Sequence, residues 1–234
     1  MEKRFLVLGD GLLGTEIVKQ TGWDYISRKK DMFDVSTNVA FEPFMRNYTD
    51  IINCIAHTKT RDNTKPLHHR LNVVFPKQLS EYCSEFNKKL IHISTDYVYA
   101  QSVEFAKETD ILVPTHNWYG YSKMLGDNIV RLLADKHLII RTTFKPNPYP
   151  YEYAWNNLVG NFDYVDVISK MTINLINQDA RGVFNVGTEV KSLYDLAKRT
   201  NPDVKVDYLE DTIDRPKNTT MNLDKLNNFV KGKL

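Results

Sequence analysis

The run Gly9-Asp10-Gly11-Leu12-Leu13-Gly14 constrains this chain more than any other stretch. It follows an apolar segment, Phe5-Leu6-Val7-Leu8, and opens a helical one through Glu16, Ile17, Val18 and Lys19. A glycine turn between a strand and a helix lets backbone approach a pyrophosphate, whose charge the helix N-terminus stabilises. Gly9, Gly11, Leu12, Leu13 and Gly14 are therefore expected to bind a dinucleotide, an ordinary tight turn being the other reading.

From Lys3 to Lys145 strand-length apolar runs alternate with segments of helical period, the pattern of repeated βαβ units. Ile51–Ile55, Leu90–Ser94 and Leu138–Arg141 read as central strands covered on both faces. Leu67, Leu71, Val74, Leu79 and Tyr82 predict a helical crossover that Pro76 should kink or restart, leaving it bent. Three prolines and an aromatic cluster in 145–156 then interrupt the pattern, and beyond them come a helix over 167–177, a strand over 183–186 and a helix from Ser192. The expected fold class is α/β, a Rossmann doubly wound parallel sheet. Residues 1–145 would be the nucleotide-binding domain and 146–234 a small, reduced C-terminal substrate lobe interleaved with it. A length of 234 residues suits that size but not two full domains.

The charge balance, 31 Lys plus Arg against 29 Asp plus Glu, supplies no broad field for nucleic acid. Met1-Glu2-Lys3-Arg4 runs straight into a strand, and no apolar stretch is long enough to span a bilayer, so no membrane association and a cytoplasmic location are expected. Cys54 and Cys83 match neither a disulfide framework nor metal-ligand spacing.

NAD-specific Rossmann proteins usually end the second strand in an acid that binds the ribose 2′-hydroxyl. Here Trp23-Asp24-Tyr25-Ile26 leads into Ser27-Arg28-Lys29-Lys30, and cations attract a 2′-phosphate. NADPH is therefore the expected cofactor, with NADH as the alternative, and Ser27, Arg28 and Lys29 become candidate contacts. A solvated charged loop is the competing reading.

Hydride reduction of a ketone needs an acid beside the developing alkoxide, and a tyrosine with a cation one helical turn away meets that need. Three Tyr-x-x-x-Lys pairs occur: Tyr25/Lys29, Tyr119/Lys123 and Tyr194/Lys198. Only Tyr119/Lys123 follows a central strand ending in hydroxyls, Ser94-Thr95-Asp96-Tyr97-Val98-Tyr99.

That hexapeptide, with Trp118-Tyr119-Gly120-Tyr121-Ser122-Lys123 after it, resembles the active-site pair of extended short-chain dehydrogenases, and within them the dTDP-4-dehydrorhamnose reductases. Asn53–Thr58, Ile140–Thr142 and Arg215–Thr219 are similar to further pieces of that family. The resemblance implies reduction of the 4-keto group of a nucleotide-linked 6-deoxy sugar. Tyr119 would be the general acid, Lys123 would hold the nicotinamide ribose and lower the tyrosine pKa, and Thr95 would hydrogen-bond the sugar carbonyl. Gly9, Gly11, Leu12 and Leu13 would touch the pyrophosphate, Asp34 and Val35 the adenine region, and Ala56, His57 and Thr58 the inner cofactor. Tyr97, Arg215 and Asn218 would face the sugar nucleotide. Asp96 either orients substrate or caps the following turn. Trp155, with Tyr149, Tyr151 and Tyr153, either stacks on the substrate or forms an ordinary strand face.

The chain departs from that family in being short after Arg141-Thr142, where relatives place much of their substrate lobe. Where rhamnose reductases carry an acidic segment associated with a metal-bridged dimer, it reads Lys59-Thr60-Arg61-Asp62-Asn63-Thr64-Lys65, so no metal is expected and a homodimer stays open. His57 stands where the family commonly has tyrosine. Two rival readings follow: a sugar-nucleotide epimerase or epimerase-reductase, with His57, His116 or Cys83 as base, and a cofactor-binding regulatory subunit without chemistry.

Overall fold

A computed structural model describes residues 2–37, 40–61, 64–114, 117–210 and 215–232. Six strands form one parallel sheet: β1 (Phe5–Leu8), β2 (Asp24–Ile26), β3 (Asp50–Asn53), β4 (Lys89–Thr95), β5 (His137–Thr142) and β6 (Gly182–Asn185). Their spatial order is β6-β5-β4-β3-β1-β2. The winding reverses between β1 and β3, and sheets of this kind bind ligands outside the carboxyl ends of their strands at that reversal. Strand β3 stops at Asn53 rather than reaching Ile55, because the Asn53 side chain takes the Ile55 N–H at 3.0 Å and turns the chain out of the ladder.

Among the helices that cover the sheet are α1 (Leu12–Thr21), α2 (Phe75–Glu85), α3 (Trp118–Leu133) and α4 (Val165–Asn177). Alternation along the strands sorts their side chains. Leu6, Leu8, Ile51, Leu90 and Ile139 pack with α2 and Val130 of α3, while Val7, Ile52, Ile91, Leu138 and Ile140 pack with α1 and α4. Two-sided burial is why these strands read as continuous apolar runs.

Of the two outcomes expected at Pro76, a kink or a restart, the structure shows the restart. Pro76 lies in the first turn of α2, where its missing N–H costs nothing, and the irregularity lies upstream, a wide π-type turn over Arg70–Val74. That turn brings Asn72 close to α3: a Cβ on Gly126 would lie 2.2 Å from the Asn72 carbonyl oxygen.

Residues after Lys145 do two jobs. Tyr149, Leu158, Phe162, Tyr164, Leu193 and Leu196 form a separate small core, whereas α4 and β6 return to the main sheet. Short pairings frame the lobe: Tyr153–Trp155 with Lys205–Asp207, and Val159–Gly160 between Lys191–Ser192 and Asn218–Thr219. Among the described residues no helix is long and apolar enough to cross a membrane.

Candidate active site

The glycine turn divides its labour among its three glycines. Gly9 has φ of +99°, a left-handed conformation that disfavours side chains. A Cβ on Gly11 would meet nothing within 4 Å, so this backbone is open to a ligand, while one on Gly14 would lie 2.3 Å from the Gly9 carbonyl oxygen. Helix α1 has no acid in its first turn and no side-chain cap, which leaves its first N–H groups for an anion. These features fit a dinucleotide pyrophosphate held by backbone.

Three connected cavities run along the carboxyl ends of the strands. The first, about 480 Å³, is lined by Gly9, Gly11, Arg28, Asp34, Val35, Ala56 and His57. The second, about 440 Å³, shares Gly11 and Ala56 with it and adds Leu12, Leu13, Thr58, Thr95, Tyr97, Tyr119 and Lys123. The third, about 710 Å³, shares Leu12, Thr58 and Tyr97 with the second and extends over Asp96, Tyr149, Tyr151, Tyr153, Trp155 and Arg215. Shared walls make them one trench.

At the middle of the trench Thr95 ends β4 and caps the short turn Asp96–Tyr99, its hydroxyl oxygen accepting the Tyr97 N–H at 3.3 Å. Asn117 caps α3 by accepting the Gly120 N–H at 2.7 Å, which sets Tyr119 in the first turn and Lys123 one turn later. The Tyr119 phenol shares its cavity wall with the Thr95 hydroxyl, and its ring meets Tyr97 edge-on with centroids 5.6 Å apart. Lys123 donates to the Ile93 carbonyl at 2.7 Å. Burial pushes the Tyr119 pKa well above its ordinary value against the opposing influence of the Thr95 hydroxyl, and pulls Lys123 down to about 8 against the pull of Asp127 and Cys54. The lysine is thus engaged with β4, and burial is the dominant influence on the tyrosine.

Asp96 is neither a simple cap nor a free substrate ligand. Its buried carboxylate accepts from Thr95 at 3.1 Å, from Thr219 at 2.6 Å and from Thr143. Three hydroxyls thereby tie the end of β4 to the stretch after β5 and to the Asn218–Thr219 strand.

Several expected contacts lie elsewhere. Ser27 is buried and caps the turn Arg28–Asp31 by accepting the Lys30 N–H at 3.2 Å, and Lys29 is exposed outside the cavity wall, so of the basic run only Arg28 lines the trench. The Asp34 carboxylate accepts the Ser36 hydroxyl at 2.6 Å, and this bond, aided by nearby Arg28, holds its pKa below the usual value. Gly14 packs beneath the turn. Asn218 is exposed, donating to Glu104 at 2.9 Å while accepting the Thr220 N–H at 2.9 Å; its neighbour Thr219 reaches the cavity instead. Tyr25 and Tyr194 make cation–π contacts with Lys30 and Lys198. His57 lines the first cavity with its ring against His68, Cys83 is buried under α2 with its thiol raised to about 12, and His116 lies outside the described residues.

Arg215 stacks on Trp155 at 4.6 Å and shares the third cavity's wall with Tyr97, and Trp155 donates to Asp207 at 3.1 Å. Sequence reasoning missed Lys145, which lines both the second and third cavities, and Thr143, which does the same. It also missed Asn72, whose side chain accepts the His57 N–H at 2.8 Å and donates to the His57 carbonyl and to Ser122, fastening the 56–58 loop to α3.

The model of the RmlD substrate binding domain family matches residues 3–162, most of the chain and all but one strand of the sheet. The chain belongs to this family. Among its relatives, the dTDP-4-dehydrorhamnose reductase of Mycolicibacterium smegmatis is 28% identical over 151 residues, 62% of this chain and 46% of that protein. The dTDP-4-keto-6-deoxy-D-glucose reductase of Streptomyces niveus is 24% identical over 226 residues, 86% of this chain and 78% of that one. The chain spans about half the length of the first mycobacterial relatives it matches. A solved dTDP-4-dehydrorhamnose reductase from Clostridium acetobutylicum superposes with a TM-score of 0.82 at 24% identity, covering 99% of this chain and 94% of that one. The Bacillus anthracis enzyme, solved in complex with NADP, gives 0.82 at 24% identity, covering 97% and 91%. These likenesses show the Rossmann-like fold.

Proposed function

We propose that this chain is an NADPH-dependent reductase of the 4-keto group of a nucleotide-linked 6-deoxy sugar. The observation that carries the reading is the convergence of Thr95, Tyr119 and Lys123 on one cavity that runs continuously to the glycine turn. The relatives named as dTDP-4-dehydrorhamnose reductases and the neighbour solved with NADP support it. In this reading residues 1–145 carry the cofactor and 146–234 form the substrate lobe.

NADPH, when bound, supplies the hydride. Gly9, Gly11 and the start of α1 hold its pyrophosphate, and Arg28 faces the adenosine end, where a guanidinium favours a 2′-phosphate. Tyr119 delivers the proton to the carbonyl oxygen. Its raised pKa keeps that proton in place until negative charge develops beside it. Thr95 holds the phenol in position, and Asp96 fixes Thr95 by accepting its hydroxyl proton. Lys123 restores the proton from the inner side. The 710 Å³ cavity takes the sugar nucleotide, with Arg215 and Trp155 on its wall. Lys145 lines both the second and third cavities, an ammonium near Asp96 and Arg215 that burial makes easier to deprotonate.

The test is NADPH oxidation with 4-keto-6-deoxy sugars linked to dTDP, UDP, GDP and CDP. Turnover with at least one is expected. Tight NADPH binding with no turnover on any would point to the regulatory-subunit reading instead.

A further inference from the structure

Between β3 and α3, three side chains stand in line at the centre of the sheet: Asn53, His92 and Lys123, each no more than 2% exposed. Their hydrogen bonds leave no freedom of orientation. Asn53 Oδ1 accepts the Ile55 N–H at 3.0 Å, so the amide nitrogen points the other way, 3.2 Å from His92 Nδ1. The reversed amide would set two N–H donors against each other at Ile55. Nδ1 is therefore the acceptor, and the single proton of the neutral ring sits on Nε2. That nitrogen lies 3.5 Å from Lys123 Nζ. The ring stays neutral because burial and the adjacent lysine hold its pKa well below the ordinary value.

An Nε2–H group offers an ammonium no acceptor, but it offers an amine a partner for its lone pair. We propose that His92 is a positioning residue that directs its Nε2–H at Lys123 Nζ, so that the lysine readily gives up a proton and keeps its lone pair turned towards β4. The charge balance is simple: the proton leaves towards the Tyr119 side, and the electron pair stays on Nζ. Other groups face the lysine from each packed element. Asp127, on α3 and bonded to Arg141 of β5, and Cys54, after β3, favour its charged form; Tyr119 lies one turn earlier on α3. His92 opposes them. Its kinetic consequence rests on the reductase reading, whereas its hydrogen-bonding consequence does not.

The experiment uses the full chain. Side-chain ¹⁵N spectra should show His92 with its proton on Nε2 and bare Nδ1, unchanged from about pH 5.5 to about pH 8.5. A proton on Nδ1, or titration in that range, would overturn the proposal whether or not any variant folds. The Lys123 ¹³Cε titration should move up by about half to one pH unit in His92→Leu, as loss of one hydrogen bond predicts, and stay near wild type in His92→Gln, which retains a donor nitrogen. An unmoved titration in folded His92→Leu would also overturn it. The alkaline limb of kcat for sugar reduction should follow the lysine. Should no sugar nucleotide be reduced, the two spectra still decide the role of His92, and only the catalytic reading falls.

Discussion

At Gly14 one hydrogen atom in place of a methyl group decides whether the cofactor turn can close. A Cβ there would collide with the Gly9 carbonyl 2.3 Å away, backbone that cannot swing aside because Gly9 N is itself bonded to the Ile26 carbonyl at 2.9 Å. Gly14→Ala should therefore cost about 1–3 kcal/mol and weaken NADPH binding, as urea unfolding and fluorescence titration would report. Gly11→Ala, with open space around its Cβ position, should leave stability nearly unchanged but intrude on the pyrophosphate. Equal stability losses in the two variants would refute this division of roles. The same glycines were legible in the sequence because their spacing and flanking elements encode the turn. The contrast between Asn218 and Thr219 was not: adjacent residues of one strand face opposite ways, and only the register with Val159–Gly160 sends Thr219 to Asp96.

Among the elements, α3 carries the chemistry and β5 anchors it. Asp127, one turn beyond Lys123, accepts from Arg141 at 2.8 Å with both side chains wholly buried, and Arg141 also donates to the Tyr99 hydroxyl. Removing one partner of such a pair strands the other charge in the core, so Asp127→Ala should cost about 3–5 kcal/mol. Chemical denaturation measures this, and a loss below about 1 kcal/mol would contradict the pair's structural role. The strands themselves were readable, since two-sided burial writes them as β-branched runs. The wide turn at Arg70–Val74 was hidden, because the spacing of Leu67, Leu71 and Val74 suits a regular helix equally well, whereas Pro76 marked only the restart that follows it. Lys145, Thr143 and Thr219 were also hidden, as polar residues at strand ends whose convergence depends on how the lobe folds back over β4.

Across the whole molecule, a single trench joins the glycine turn to the aromatic wall of the lobe, with Thr95 and Tyr119 at its centre. Asp96 connects the two halves through three threonine hydroxyls, so the site depends on the lobe being in place. The central claim is that Tyr119 donates the proton to a carbonyl held in that trench. Single-turnover oxidation of bound NADPH by a 4-keto-6-deoxy sugar nucleotide, compared between the natural chain and Tyr119→Phe, tests it most directly. Loss of the proton donor should slow the step by about 10²–10⁴-fold with NADPH affinity retained. An undiminished rate in Tyr119→Phe would contradict the assignment.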